Sequence, residues 1–337
     1  MTFEEHRKIV AQRNAEREVA GLGPLPKLTI SFSGGRTSAV MTKRLWDERK
    51  DTHDIVITFA NTGCEHPATL DFVFQCESVF GWPVVWIEAK VNPEFGKGVG
   101  YAVVDYASAS RNGEPFEDVV AKYGIFNAVN PSCTARTKTD PMHAFLADQG
   151  FFVGSKLNCK TAIGIRSDEA DRVSVFAAKQ YGAIYPMVEW GMTKRDVGLA
   201  MAGWGFDLRI PGDHYGNCTW CWKKTLRKHL TLMKQSPEVF DFPERMEERY
   251  GSARPDMAST DDDGRAWWFR KHTSVQQLRE MAKTREFQPY RDDLYASGRE
   301  RDRDLDLGTG ACGESCEVYA DPTSDDASDW LFKEFAP

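Results

Sequence analysis

The apolar and polar positions between Lys27 and Leu45 (KLTISFSGGRTSAVMTKRL) change period part-way along. Leu28, Ile30 and Phe32 alternate with polar neighbours, the period of a buried strand. The alternation stops at Ser33-Gly34-Gly35-Arg36-Thr37-Ser38, and Val40, Met41, Leu45 and Trp46 then recur with helical spacing. The same change follows downstream. Asp54–Ala60 predicts a second buried strand running into Asn61-Thr62-Gly63. Pro67 suits a first helical position, and Ala68–Phe80 has helical spacing. Pro83–Glu88 predicts a third strand. Strands alternating with helices predict an α/β, Rossmann-like fold with a doubly wound parallel sheet. Ligands of such sheets bind beyond the carboxyl ends of the strands, which places Ser33–Ser38 and Asn61–Glu65 on one rim.

Beyond this the pattern is less even. The stretch 90–131 shows no clear strand. Thr139–Gly150 predicts a helix and Thr161–Ile165 a strand, whose end carries the charge-dense loop Gly164–Arg172. Ala183–Met187 predicts another strand, and Thr193–Ala202 a helix opened by a hydroxyl cap. From Cys218 onward the pattern is helical: Trp220–Lys234, Pro237–Tyr250 and Ser274–Arg285. Tyr290–Asp306 is a solvated run of mixed charge. The organisation expected is an N-terminal helical extension (1–24), an α/β domain (25–215), a helical region (216–290), and a charged linker with a cysteine-containing tail (291–337).

A length of 337 residues, 41% hydrophobic and 12% aromatic, is enough for a large α/β domain with additions. The net charge of −7 argues against a uniformly basic nucleic-acid binder but leaves room for a local basic groove. No run of eighteen apolar residues occurs, so no membrane span is expected. The N-terminal stretch is charged throughout and lacks an apolar signal core, so a cytoplasmic location is expected.

The glycine turn is the strongest chemical feature. Glycines let the backbone approach an anion, and the free N–H groups and positive dipole end of the following helix face the same point. Ser33, Thr37 and Ser38 add hydroxyls, and Arg36 adds a forked cation. The run is neither GxxxxGK[ST] nor GxGxxG. The bland alternative is a plain Gly-Gly turn.

The eight cysteines in a chain of this kind read as thiols, metal ligands or redox groups rather than structural disulfides. Cys218-Thr219-Trp220-Cys221 is a C-x-x-C, and Cys133 precedes Arg136 and Lys138, cations that favour a thiolate. Spacing alone fits an iron–sulfur cluster, a structural zinc, a redox dithiol or buried small side chains. Cys76 shares a helix face with Phe72 and Phe80 and reads as core. Cys159 falls at the start of a strand, on the rim away from the site. Cys64 lies on the ligand rim, as a reactive or an incidental thiol. His66 and His143 read as capping or surface residues. Lys223, Lys224, Arg227, Lys228 and Lys234 form either a solvated helix face or a basic strip for an anionic or nucleic-acid substrate.

SFSGGRTSAV, FANTGCEHPATLDF, CTARTKTDPM, GIRSDEADR and GNCTWCWKK occur in that order. Together, across about Leu28 to Leu230, they resemble the phosphoadenosine phosphosulfate (PAPS) reductase family. That family lies within the adenine-nucleotide α-hydrolase-like (HUP-like, N-type ATP pyrophosphatase) superfamily. The branch most similar is the bacterial and phage type with an intact SGG loop. The chain is also similar to the sulfur-transfer protein of DNA phosphorothioation. The resemblance implies that Ser33, Gly34, Gly35, Thr37 and Ser38 hold the pyrophosphate or sulfate end of an adenine nucleotide, with Arg36 added to the loop as a forked cation on its own chemistry. Asn61, Thr62, Glu65 and Gly164 would line the nucleotide, and Arg166 and Arg172 would meet its anion. It implies a 4Fe-4S cluster, read here onto Cys133, Cys218 and Cys221, with the tail cysteine Cys316 favoured as the fourth ligand. Arg166, Lys138 and Cys312 would be the catalytic set. Cys133 follows Ser132 where sulfonucleotide reductases carry Cys-Cys, so the fourth ligand stays open between Cys312, Cys316, Cys159 and none.

Two chemistries fit the resemblance. In one, ATP (with Mg2+) adenylates a substrate oxygen and sulfur displaces AMP. In the other, a thiol attacks the sulfate of PAPS or its APS analogue and releases sulfite. Expected partners are the adenine nucleotide, a nucleic-acid or small-molecule sulfur acceptor, and a sulfur or electron donor protein. A nucleic-acid-binding module with a structural metal is the non-enzymatic alternative.

Overall fold

β1 (Lys27–Ser31) is the central strand of the main sheet, flanked by β2 (Asp54–Asn61) and β7 (Lys160–Ile163), both parallel to it. The structure is a computed structural model that describes residues 1–94, 96–252, 264–269 and 273–292. Outside β2 lie β3 (Val84–Val91) and the antiparallel edge strand β4 (Val99–Val104); outside β7 lies β8 (Ala183–Ile184). A separate antiparallel pair joins β5 (Phe152–Val153) to β6 (Lys156–Leu157). The six-stranded order β4-β3-β2-β1-β7-β8 reverses direction at β1, so the crevice between β1 and β7 is the topological switch point. This is the doubly wound α/β architecture expected.

The alternation in β1 and β2 is read out on two faces. Leu28, Ile30, Phe32, Ile55, Ile57 and Phe59 point into one apolar layer. It is closed by α2 (Arg36–Arg49), α3 (Pro67–Phe80) and α8 (Lys194–Met201). Val56, Ala60, Val85, Ile87 and Ile163 point the other way, onto α5 (Asp140–Asp148) and α6 (Val175–Tyr181). The N-terminal helix α1 (Phe3–Val19) docks on the same body. Phe3 packs against that second layer, the His6 imidazole Nε2 bonds the Ile55 carbonyl at 2.9 Å, and Arg7 pairs with Asp54.

Two expectations within the α/β domain needed correcting. The stretch 90–131 holds β4 and α4 (Glu114–Tyr123); β4 is an edge strand with half-exposed positions and a glycine, so it lacks the apolar alternation of a covered strand. The strand predicted to reach Met187 stops at Ile184, because Pro186 opens the short helix α7 (Pro186–Glu189).

A third apolar compartment gathers α4 and α9 (Leu226–Gln235), α10 (Asp241–Tyr250) and α11 (Val275–Thr284) around Trp220, Trp222 and Trp268. It also takes in Ala89 and Val91, at the carboxyl end of β3. The helix expected from Trp220 begins only at Leu226, where the Thr225 side chain caps it by accepting from Lys228 N. That leaves the C-x-x-C in the preceding loop. Ser274, the first residue of the helix predicted over Ser274–Arg285, is the N-cap of α11 and closes a capping box with Gln277. The charged run beyond residue 292 lies outside the described residues.

Candidate functional site

Gly35 is the N-cap of α2 and, having no side chain, supplies no cap of its own to the first-turn amides. The serines close the loop on itself: Ser33 Oγ and Ser38 Oγ lie 2.8 Å apart, Ser33 N donates to Ser38 Oγ, and Ser38 Oγ donates to the Gly35 carbonyl. Gly34 has φ +80 and lies against Thr69, Phe59 and Val73, so the loop rests on α3. Gly164, at the end of β7, is a close-approach glycine. A Cβ there would sit 3.0 Å from Ser38 Cα and Cβ, so β7 can approach the start of α2 only without one.

That approach brings two distant motifs together. Arg166 Nη1 donates to Thr37 Oγ1 at 3.3 Å across 129 positions of sequence. Its Nε donates to Asp168, its Nη2 lies 3.4 Å from Glu169, and Glu169 in turn accepts from Arg172. Asp168 and Glu169 therefore aim the two arginines; Asp171 is exposed. A guanidinium nine-tenths buried beside an uncapped helix start, at the switch point of the sheet, is a cationic anion seat.

Other predicted residues are placed differently. Arg36 turns away from the loop: its fork holds both oxygens of Asp207 at 2.7 and 3.1 Å and the Leu208 carbonyl at 2.6 Å. It is thereby a wall of an open cleft of about 390 Å³, lined also by Met201, Phe206, Asp207 and Arg209 on and after α8. The sequence offered no sign of this cleft, since nothing local pairs Arg36 with a residue 171 positions away. Asn61 gives its amide to Glu88 and to the Ser110 carbonyl, stitching the ends of β2 and β3. Glu65 points inward. Its Oε2 accepts from Thr62 N and Oγ1, and its Oε1 lies 3.4 Å from the buried ammonium of Lys138. Lys138 lies in a short π-helix, Ala135–Thr139, a distortion frequent at functional sites.

The cysteines divide as follows. Cys76 is fully buried in the core, where burial pushes its thiol well up. Cys159 lies at the amino end of β7, near Lys27 and Asp54, with its thiol pushed up to about 12 by burial. Both placements agree with the sequence reading. Cys218 lies at the β2 rim, 3.5 Å from Thr62 Oγ1 and paired through its backbone with Glu65. Cys64, Cys133 and Cys218 all wall the third apolar compartment. Burial, and next the charge of Cys218, push the Cys64 thiol well up, so it is no ready nucleophile. The cations expected to activate Cys133 face carboxylates instead: Arg136 pairs with Asp140 and Lys138 with Glu65. Among the described residues, no group of three or more His, Cys, Asp and Glu side chains is arranged to hold a metal ion. Cys312 and Cys316, expected as catalytic thiol and fourth ligand, lie outside the described residues.

The basic strip does not form a solvated face. Lys224, Arg227 and Lys228 are all buried. Lys224 Nζ holds the Cys218 and Thr219 carbonyls, Arg227 holds the Gln288 carbonyl, and Lys228 lies over the Tyr290 ring. These three cations fasten the C-x-x-C loop and the segment after α11, while Lys223 is half-buried and Lys234 exposed. His66 caps α3, accepting from Ala68 N through Nδ1.

No family model matches the chain. It is 30% identical over 296 residues, 86% of its length and 94% of the other's, to an uncharacterized nin region protein, ORF290, of Escherichia phage lambda. At that identity and coverage, the chain belongs to the family of the phage lambda nin region protein ORF290.

Proposed function

We propose that the protein is an adenine-nucleotide-dependent enzyme of sulfur chemistry, of the kind its sequence resembles, seating the nucleotide's pyrophosphate or sulfate end at the β1–β7 crevice. The observation that carries this is the contact of Arg166 with Thr37 beside the uncapped start of α2. The fork, the first-turn amides and the dipole end then address one anion from three directions. The loop is already fixed by its own serines, so little ordering is needed on binding.

The intact Ser-Gly-Gly loop with Ser38 favours ATP cleavage. A substrate oxygen attacks the α-phosphorus, the bond to the bridging oxygen breaks, and pyrophosphate leaves with the electron pair. Arg166 and the α2 amides stabilise charge developing on that leaving group. A sulfur nucleophile then attacks the acceptor atom that bears the adenylated oxygen; the bond from that atom to the oxygen breaks, and AMP leaves with the oxygen and the electron pair as the new bond to sulfur forms. An iron–sulfur cluster on Cys133, Cys218, Cys221 and a tail cysteine is part of the proposal on the family resemblance. The described thiols do not by themselves form a ligand set.

Calorimetric titration with ATP, PAPS and AMP tests the nucleotide reading. Arg166→Lys keeps the charge and loses the fork, so ATP affinity is expected to fall roughly tenfold to a hundredfold. Unchanged affinity would remove Arg166 from the site, and no affinity for any of the three would end the nucleotide reading. Metal analysis of protein prepared without air tests the cluster. Iron with acid-labile sulfide is expected, lost in Cys218→Ser and kept in the core variant Cys76→Ser. Stoichiometric zinc without labile sulfide would replace the cluster by a structural metal.

A further inference from the structure

We propose that occupancy of the Ser33–Ser38 loop is transmitted to the thiol of Cys218 through a backbone pairing between the β2 rim and the C-x-x-C loop. The inference rests on the nucleotide reading above and adds a regulation of that site. The path is continuous and short. Gly34 lies against Thr69 and Val73, the inner face of the start of α3. His66, the N-cap of that helix, directly follows Glu65, and its ring meets Tyr215 edge-on at 5.6 Å. Glu65 forms an isolated antiparallel bridge with Cys218, and Thr219 N donates to the Cys64 carbonyl at 3.0 Å. Thr62 Oγ1 donates to Glu65 Oε2 at 2.8 Å and stands 3.5 Å from Cys218 Sγ. From the far side Lys224 Nζ grips the carbonyls of Cys218 and Thr219 at 3.1 and 2.5 Å.

The links are packing contacts and hydrogen bonds, buried except at the half-buried His66 and Cys218. A small displacement of the loop against α3 is passed from packed group to packed group towards the C-x-x-C loop. Cys218, half-exposed, is the reporter at its end. By linkage, whatever changes the state of Cys218 changes nucleotide affinity by the same factor.

The test uses the full-length chain, purified under reductant and freed of metal with a chelator so that Cys218 is a thiol rather than a metal ligand, with α,β-methylene-ATP as probe and calorimetry to fix saturation. Alkylation by iodoacetamide is followed cysteine by cysteine with peptide mass spectrometry. Bound nucleotide is expected to slow Cys218 about tenfold, a common size for coupling between sites, and to leave Cys159 on the opposite rim unchanged. Thr219→Pro deletes the N–H that bonds Cys64, and is expected to bind the probe as before while Cys218 stops responding. If the proline distorts the loop, Lys224→Met, which releases the same loop from the other side, is expected to abolish the response likewise. Binding without any change at Cys218, or Cys218 unreactive in both states, overturns the coupling and leaves the nucleotide reading intact. A response that persists in both variants means that the nucleotide shields Cys218 directly, which also overturns it. No binding at all ends the nucleotide reading, and the coupling with it.

Discussion

Gly34→Ala is expected to cost the fold roughly 3 kcal/mol or more and to abolish nucleotide binding, although it adds one methyl group. Gly34 has φ +80, where an L side chain is strained by about 1–2 kcal/mol. The new Cβ would also stand 2.7 Å from Thr69 Cγ2, 3.1 Å from a Phe59 ring carbon and 3.2 Å from Val73 Cγ2. Thr69 and Val73 are β-branched residues in a helix, with little freedom to turn aside. The loop must therefore lift off α3, and the first-turn amides of α2 move with it. Gly81 makes the comparison clean. It is also left-handed, at φ +65, but a Cβ there meets nothing within 4 Å. Gly81→Ala should lose only the conformational part, about 1 kcal/mol. Urea unfolding of both variants separates strain from packing. Equal losses would show that α3 yields to the added methyl and that the loop is not held as described.

That loop was legible in the sequence because its determinants are local. A strand period, two glycines, hydroxyls and a helical period fall within about twenty residues, and each has its own mechanism. The same holds for β2, the Pro67 start of α3, the hydroxyl cap of α8 at Thr193 and the core placement of Cys76. What the sequence hid is what depends on distant partners. Arg36 in SGGRTS looks like an anion ligand until Asp207 appears beside it, 171 positions on. Lys224, Arg227 and Lys228 have the spacing of a basic face, yet they are buried. Long cationic side chains bury their stems readily, and only the carbonyls that receive their charged ends reveal the direction. Glu65 and Lys138 were separate candidates, and the fold makes them one buried ion pair. Arg166 and Thr37 could be joined in advance only by the resemblance, since no periodicity links residues 129 apart.

Such inward-turned charges matter in the helical region too, where the sequence singled out no acidic residue. Glu247, on α10, is 4% exposed and holds that region together. Its Oε1 accepts from Trp268 N and its Oε2 from Val275 N, both at 2.9 Å, the second at the start of α11. Trp268 packs edge-on against Trp220, inside the C-x-x-C, at 4.8 Å. One carboxylate thus ties α10 and α11 to the loop that carries Cys218.

Burial outweighs the two N–H bonds and lifts the Glu247 carboxyl from its ordinary 4.5 to about 7, with Glu244 adding to the rise and Arg265 opposing it. The folded state then holds a proton that the unfolded chain has released between those two values. Stability from this group is full below about pH 4.5 and is lost as pH rises towards 7, on the order of 3 kcal/mol in all. Glu247→Gln removes the titration, so its urea midpoint should fall less than that of the native chain between pH 5 and pH 8. Glu247→Ala leaves both backbone donors buried without acceptors and should cost roughly 2–5 kcal/mol at any pH in that range. Trp fluorescence, through Trp268 and Trp220, should report both changes. A native chain whose stability shows the same pH slope as Glu247→Gln would mean that the carboxyl titrates alike in the folded and unfolded states. Glu247 would then be an ordinary hydrogen-bonding partner, and the pH dependence of the helical region would have to arise from another group.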